Sequence, residues 1–328
     1  MNPRRLALLD YVFLLRPVIL VPGWVFLLLG YHSGRAWVGE PAPSWYPSGR
    51  LLLSLVVFTA IMGAIYILNQ ICDRETDRLN RKLFLISEGR ISPAAAASEL
   101  VILNGAAVLL AWAFFPPAYG ALAVVSVLSG VAYSVRPARL KARAGWDIVA
   151  NGVGFGGIAF VMGWLTGAPL HPVAIVRTLP YVLAVGAIHT NATVLDLEGD
   201  RAAGDETIAV RLGLRRTLWL GTALACGSLL AALALGETIT LFWAGASAVG
   251  FAWAAWGAKA GRSVTVNQLS GRAFVLLQGF RFPHFLLWLV IVYGATKWYY
   301  RSRFGVDYPS LKDTRDPYRP PTESVVAR

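Results

Sequence analysis

Apolar and polar positions follow one another along this chain in long blocks, without the short alternation of a soluble fold. A helix crossing a bilayer needs about 20 mainly apolar residues. Nine stretches have that character: Tyr11 to Tyr31, Leu51 to Gln70, Ala94 to Phe115, Ala118 to Val135, Asp147 to Leu165, Pro172 to Leu195, Thr217 to Leu235, Thr238 to Ala258 and Ala273 to Ala295. The pattern predicts an all-α, polytopic membrane protein of about nine transmembrane helices, forming one domain over residues 1–300. Residues 301–328 set Pro309, Pro317, Pro320 and Pro321 among charges, so a polar, disordered tail is expected there. Arg4 and Arg5 precede the first stretch as in a signal peptide, but the stretch is long for an h-region and has no small-x-small cleavage site. It is read as a retained helix.

Charge supplies an orientation. Counted by alternate loops, the side holding the N-terminus has 18 lysines and arginines and the other side has Arg35, Arg50 and Arg177, which makes the N-terminal side cytoplasmic. Nine helices put the C-terminus on the opposite side, where the seven basic residues from Lys297 onward contradict the same rule. Composition agrees with a bilayer: 56% of residues are hydrophobic and 15% charged, where soluble domains have about a quarter charged. A net charge of +12 without a soluble basic face or a known module excludes nucleic acid as the partner. Cys72 and Cys226 are far apart in apolar segments and make neither a disulfide framework nor a thiolate metal site.

The chemistry lies in the acidic residues. Eight of the 18 fall in two short stretches, Asp73, Glu75 and Asp77, then Asp196, Glu198, Asp200, Asp205 and Glu206. Each stretch closes a long apolar segment, where a carboxylate is costly unless it meets water, a cation or a partner. Asn69, Asp73 and Asp77 recur every four residues and so share one helix face. Asp196 and Asp200 repeat the spacing. Paired carboxylates with vacant positions suit Mg²⁺, which takes one or two of them together with waters and substrate phosphate oxygens. Between the motifs, the loop from Tyr133 and Ser134 to Arg139 and Lys141 offers hydroxyls and cations to phosphate oxygens. The combination suits ionisation of an allylic diphosphate, because Mg²⁺ and cations stabilise charge growing on the leaving pyrophosphate.

These residues, Asn69-Gln-Ile-Cys-Asp73-Arg-Glu-Thr-Asp77, Asp196-Leu-Glu-Gly-Asp200 through Thr207, and Tyr133-Ser134 through Lys141, resemble the signatures of the UbiA-type intramembrane prenyltransferases. The resemblance spans nearly the whole chain. It implies two four-helix halves plus a final helix, an opening to lipid for the isoprenoid, and a cytoplasm-facing site in a prokaryotic plasma membrane. Asn69, Asp73, Asp77, Asp196 and Asp200 would hold Mg²⁺, the four aspartates as the catalytic set. Asn69, Tyr133, Ser134, Arg139 and Lys141 would bind the diphosphate, and Arg16-Pro17 resembles a family feature whose arginine reaches it. The implied partners are a prenyl diphosphate donor, membrane lipid and a small-molecule acceptor whose identity is open, an aromatic one included. One departure stands out: in Asn80-Arg-Lys-Leu-Phe84-Leu85-Ile-Ser-Glu-Gly89, Phe84 and Leu85 replace a cation and a proline.

Simpler readings stand beside these. Each aspartate pair alone is also a solvated helix end; Arg139 and Lys141, like Arg136 and Arg143, are also positive-inside anchors; and Ser134 is also a backbone cap. His189 is read as a packed histidine, the glycines from Gly152 to Gly157 as close helix packing, the tryptophans as interface bulk, and Arg281 as lying near the cytoplasmic end of the ninth helix. Asp10, outside both acidic stretches, is expected to matter little. A divalent-cation carrier and a non-catalytic isoprenoid-binding relative are the rival functions.

Overall fold

The computed structural model describes residues 3–40, 47–79, 84–257 and 260–309, and among them every regular element is helical. The first apolar stretch is two helices, α1 (Pro3–Leu14) and α2 (Pro17–Trp37), joined at Arg16. Pro17 dictates the joint, since it has no N–H to donate and drives the preceding residue out of helical geometry. Ser48 caps α3 (Gly49–Cys72) by accepting from the Leu51 N–H at 3.1 Å. Short α4 (Arg74–Leu79) and α5 (Phe84–Ser87) follow, then α6 (Pro93–Phe114), which starts from a Ser92 cap and Pro93, and α7 (Pro117–Ser134). Serine caps and a first-turn proline answer the free N–H groups of a helix start.

The fifth rod joins α8 (Trp146–Asn151), a π-helical stretch (Gly152–Ala159) and α9 (Phe160–Gly167); the sixth joins α10 (Pro172–Val176) and α11 (Leu179–Ala192). After α12 (Leu197–Ala203) and α13 (Ile208–Leu212) come α14 (Leu214–Leu235), α15 (Thr238–Gly257), α16 (Ala260–Gly279) and α17 (Pro283–Phe304). Among the described residues, eight rods are long and apolar enough to cross a bilayer, and they coincide with the first eight predicted spans. Their outward faces are apolar; α6, for instance, exposes Val101, Ile102, Leu109 and Phe114, as contact with lipid tails requires.

Helices α3, α6 and α7 pack together as one group and α11, α14, α15 and α16 as another, with α2 laid along α9. Glycine sets that seam. A Cβ on Gly30 would lie 1.8 Å from the Phe160 carbonyl oxygen, and one on Gly163 1.8 Å from that of Leu27. The glycine run likewise packs closely: a Cβ on Gly156 would meet the Val182 nitrogen of α11 at 2.5 Å. Small residues thus bring backbones together where lipid offers no hydrophobic drive between helices.

The ninth predicted span, Ala273 to Ala295, is not one helix. The chain breaks between Gly279 and Pro283, again before a proline, and α16 and α17 are two rods of 20 and 22 residues, each about 30 Å long. Arg281 occupies the break and pairs with Glu237 at 3.3 Å, with Arg177 on the same carboxylate at 3.4 Å. Because Glu237 follows the end of α14 remote from the aspartates, Arg281 lies at the far face, not at the aspartate face. From there α17 returns along α2: Phe282 meets His32, and Tyr299 and Arg303 bond Asp10 of α1. The described basic residues of α17, Lys297, Arg301 and Arg303, therefore lie toward the same end as α1, the side on which the charge rule expects them. The expected tail also starts later than residue 301, since α17 runs to Phe304 and Val306 and Tyr308 are buried. Residues 310–328 of that tail lie outside the described residues.

Candidate functional site

Both acidic motifs sit where a long rod ends. Asp73 leaves the α3 helix with φ −97° and ψ 6°, yet its N–H still donates to Asn69 O at 2.9 Å, and the Asp77 N–H donates to Asp73 O at 2.8 Å. The four-residue spacing thus survives as a backbone ladder across a bend. Asp196 does the same after a 3₁₀ turn (Thr193–Leu195), with φ −102° and ψ 5° and the Asp200 N–H donating to its carbonyl at 2.7 Å. The first aspartates of the two motifs share one conformation, in the bridge region where many active-site residues sit.

The loop after α7 ties the motifs together. Lys141 Nζ pairs with the Asp73 carboxylate. Arg139 donates through two nitrogens to Asp205, at 2.8 and 3.2 Å, the forked geometry that fixes a guanidinium most firmly. Backbone continues the link, with the Glu206 N–H donating to Ala142 O at 3.1 Å. Thr207 Oγ1 donates to Asp200 at 3.0 Å. Even with that bond, burial pushes the Asp200 carboxyl up to about 6, and Asp196, Asp205 and Asp147 add to the rise. Carboxylates crowded this way are in want of a cation.

Among the described residues no three His, Cys, Asp or Glu side chains converge as a finished metal cage. The donor set fits Mg²⁺ in the other sense. It is made of oxygens only, comes from two motifs, and leaves positions for water and phosphate oxygens.

Beneath the loop a cavity of ≈290 Å³ enters the bundle between α3, α7 and the fifth rod. Arg16, Asn69 and Tyr133 line its polar end, and Phe58, Met62, Phe155 and Ile158 its apolar depth. Tyr133 accepts from Asn151 Nδ2 at 3.2 Å, and the Arg16 guanidinium lies 5.8 Å from the centre of the Tyr66 ring. Among the described residues two that are not glycine have positive φ, Arg16 at 56° and Arg139 at 36°. Both are predicted site cations, and such backbone costs of order 1 kcal/mol or more unless its surroundings hold it.

Of the predicted residues, then, Arg16, Asn69 and Tyr133 meet at the cavity, while Asp73 with Lys141 and Arg139 with Asp205 meet in the loop layer. Asp77 is half-buried, Asp196 is exposed, and Ser134 is buried with its Oγ unbonded. Sequence reading passes over Asp147, 1% exposed at the start of α8. Its Oδ1 accepts from the Gly145 N–H at 2.9 Å, and its Oδ2 lies 3.7 Å from His189, which reaches Asn151 at 3.4 Å. A carboxylate opening an apolar span was itself a signal. His189 is therefore part of a polar contact beside the cavity and not simply packed among apolar neighbours.

Residues 19–277 match the profile described as the UbiA prenyltransferase family. The chain is 30% identical over 250 residues to the bacteriochlorophyll synthase 33 kDa chain of Cereibacter sphaeroides, covering 74% of this chain and 76% of that one. It is 31% identical over 220 residues to the digeranylgeranylglyceryl phosphate synthase of Halobacterium salinarum, covering 66% and 74%. Its fold resembles the solved UbiA homologue from Archaeoglobus fulgidus bound to DMAPP and Mg²⁺, with TM-score 0.59, 20% identity and coverage of 86% and 98%. A solved digeranylgeranylglyceryl phosphate synthase gives TM-score 0.65 at 17% identity, with 84% and 97% covered.

Proposed function

The chain belongs to the UbiA prenyltransferase family, and from that premise we propose that it transfers a prenyl group from a prenyl diphosphate to a small-molecule acceptor at a Mg²⁺-dependent site. The carrying observation is the cavity with Arg16, Asn69 and Tyr133 at one end and apolar side chains at the other. An amphiphile with a diphosphate head and a hydrocarbon tail matches both ends. Its tail would lie along Phe58, Met62, Phe155 and Ile158, with the head under the loop that Arg139 and Lys141 hold over the two motifs. The matching profile's description as a prenyltransferase family, and the solved homologue bound to DMAPP and Mg²⁺, support the reading.

Asp73, Asp77, Asp196 and Asp200, with Asn69, would hold the metal, which supplies charge neutralisation on the departing pyrophosphate. Arg16, Arg139 and Lys141 would take the diphosphate oxygens left free. Lys141 and Arg139 now spend their charge on Asp73 and Asp205; a cation at the aspartates and a phosphate anion at the loop would replace those pairs without leaving a charge unmatched. The carbon–oxygen bond to the diphosphate breaks, the allylic carbon bonds to the acceptor, and the acceptor loses a proton. The lysine and arginine counts support reading the aspartate end as the cytoplasmic one.

A divalent-cation carrier would respond differently to the loop. Purified wild type and the Arg139→Gln/Lys141→Gln double variant would be titrated with a non-hydrolysable prenyl diphosphate analogue in Mg²⁺ at one fixed ionic strength. The proposed site predicts binding by wild type and a loss on the order of tenfold or more in the variant, since charge-assisted contacts are worth about 1.5 to 3 kcal/mol each. No binding by wild type, or equal binding by both, contradicts it.

A further inference from the structure

We propose that Asp10, Tyr299 and Arg303 form a clasp between the first and last helices that positions Arg16 at the mouth of the donor cavity. The inference rests on the proposed donor site and adds α17 to it.

Asp10 is not the inconsequential carboxylate that its place in the sequence suggests. It is 3% exposed, and it accepts the Tyr299 hydroxyl at 2.7 Å and two Arg303 nitrogens at 3.1 Å each. A buried carboxylate with three donors is held in one place, and removing a partner strands the other charge. One turn further along α1, Phe13 stacks on the same Tyr299, with ring centres 3.8 Å apart. These contacts fix one side of the α1 terminus to α17.

The other side is fixed to the first metal motif. Gln70, next to Asn69 and 2% exposed, donates through Nε2 to Leu14 O at 2.9 Å and to Tyr66 O at 3.1 Å. Arg16 comes two residues after Leu14, its N–H donating to Phe13 O at 3.1 Å and its φ at 56°. Its backbone is therefore set by two anchored neighbours, one tied to α17 and one to α3. A pocket of ≈10 Å³, too small for a ligand, is lined by Arg16, Thr296, Tyr300 and Tyr308, so α17 and the segment after it close directly on Arg16.

The departure at Phe84 and Leu85 now has a physical account. Both are buried, and the Phe84 ring meets Tyr300 edge-on at 6.2 Å and Phe304 at 4.8 Å. An apolar pair belongs there because α5 docks on the last helix. A cation at position 84 would be buried among rings. The first motif, the α1–α2 joint and α17 thus share one apolar cluster.

The test measures the dissociation constant of a non-hydrolysable farnesyl diphosphate analogue in Mg²⁺, on detergent-purified full-length protein, alongside the unfolding temperature. Asp10→Asn should weaken binding about tenfold, by misplacing one charge-assisted contact. Tyr299→Phe keeps the ring on Phe13 and removes only the hydroxyl, so it gives a smaller loss in a protein that still folds. The decisive comparison is with Arg16→Gln: once Arg16 is gone, adding Asp10→Asn or Tyr299→Phe should not weaken binding further. A clasp that only stabilises the fold lowers the unfolding temperature in both backgrounds and leaves the constant unchanged; that result overturns the proposal, as does a full additive loss on Arg16→Gln. Wild type that fails to bind the analogue refutes the donor site itself, whereas wild type and both clasp variants binding equally refutes the clasp alone.

Discussion

Asp73 and Asp196 occupy the same backbone corner of their motifs, φ −97°, ψ 6° and φ −102°, ψ 5°, and each starts a four-residue step to a second aspartate. Such correspondence in two halves of one chain is what a site built around a shared ligand would require. Asp73→Ala and Asp196→Ala should therefore each lower prenyl transfer on the order of 10²-fold or more, the usual scale for losing a group that stabilises charge in the transition state. Initial rates at matched protein levels in membranes provide the check, and near-normal Mg²⁺-dependent rates in both variants would remove these residues from the site. The aspartates were legible because their spacing is local. Asp147 was not, because its neighbours His189 and Asn151 gather by packing between rods, nor were the contacts of Asp10, whose partners lie 289 and 293 positions away.

At the scale of helices, the apolar blocks located eight rods because each spans the bilayer with a nearly unbroken apolar run. They failed at the ninth because Arg281 and Pro283 interrupt an apolar average. Proline marks both discrepant joints, Arg16-Pro17 and Phe282-Pro283, and its missing N–H was the local sign of a break. The charge rule held a second sign, in the basic segment after Lys297. Contacts between rods were less readable, since nothing in the sequence pairs Gly30 with Phe160 or Gly163 with Leu27. With a Cβ at 1.8 Å from a carbonyl oxygen, Gly163→Val must push α9 off α2. The expected cost is about 2 kcal/mol or more, read as a lowered unfolding temperature in detergent, with loss of donor-analogue binding as Asn151 and Arg16 separate. An unchanged unfolding temperature would show that the seam is looser than described.

For the whole molecule, return of α17 along α2 brings α1, the C-terminal end of α17 and both aspartate loops to one face. Single cysteines in place of Gly199 and Gly305, in a background with Cys72 and Cys226 replaced by serine, should label from the same side of sealed vesicles. One at Gly236 should label from the other. Opposite labelling of Gly199 and Gly305 would contradict the return of the last helix. That face also holds the proposed site: two carboxylate motifs, a cationic loop clipped across them, and a cavity running from arginine, asparagine and tyrosine to apolar side chains. Prenyl transfer itself is measured by incubating membranes containing the protein with radiolabelled prenyl diphosphates of several lengths and a panel of acceptors, with and without Mg²⁺. Pyrophosphate release and a labelled apolar product are expected, both requiring Mg²⁺ and both lost in Asp73→Ala. Label that stays on the diphosphate at every chain length, with Mg²⁺ and wild-type protein present, would contradict the proposed transfer.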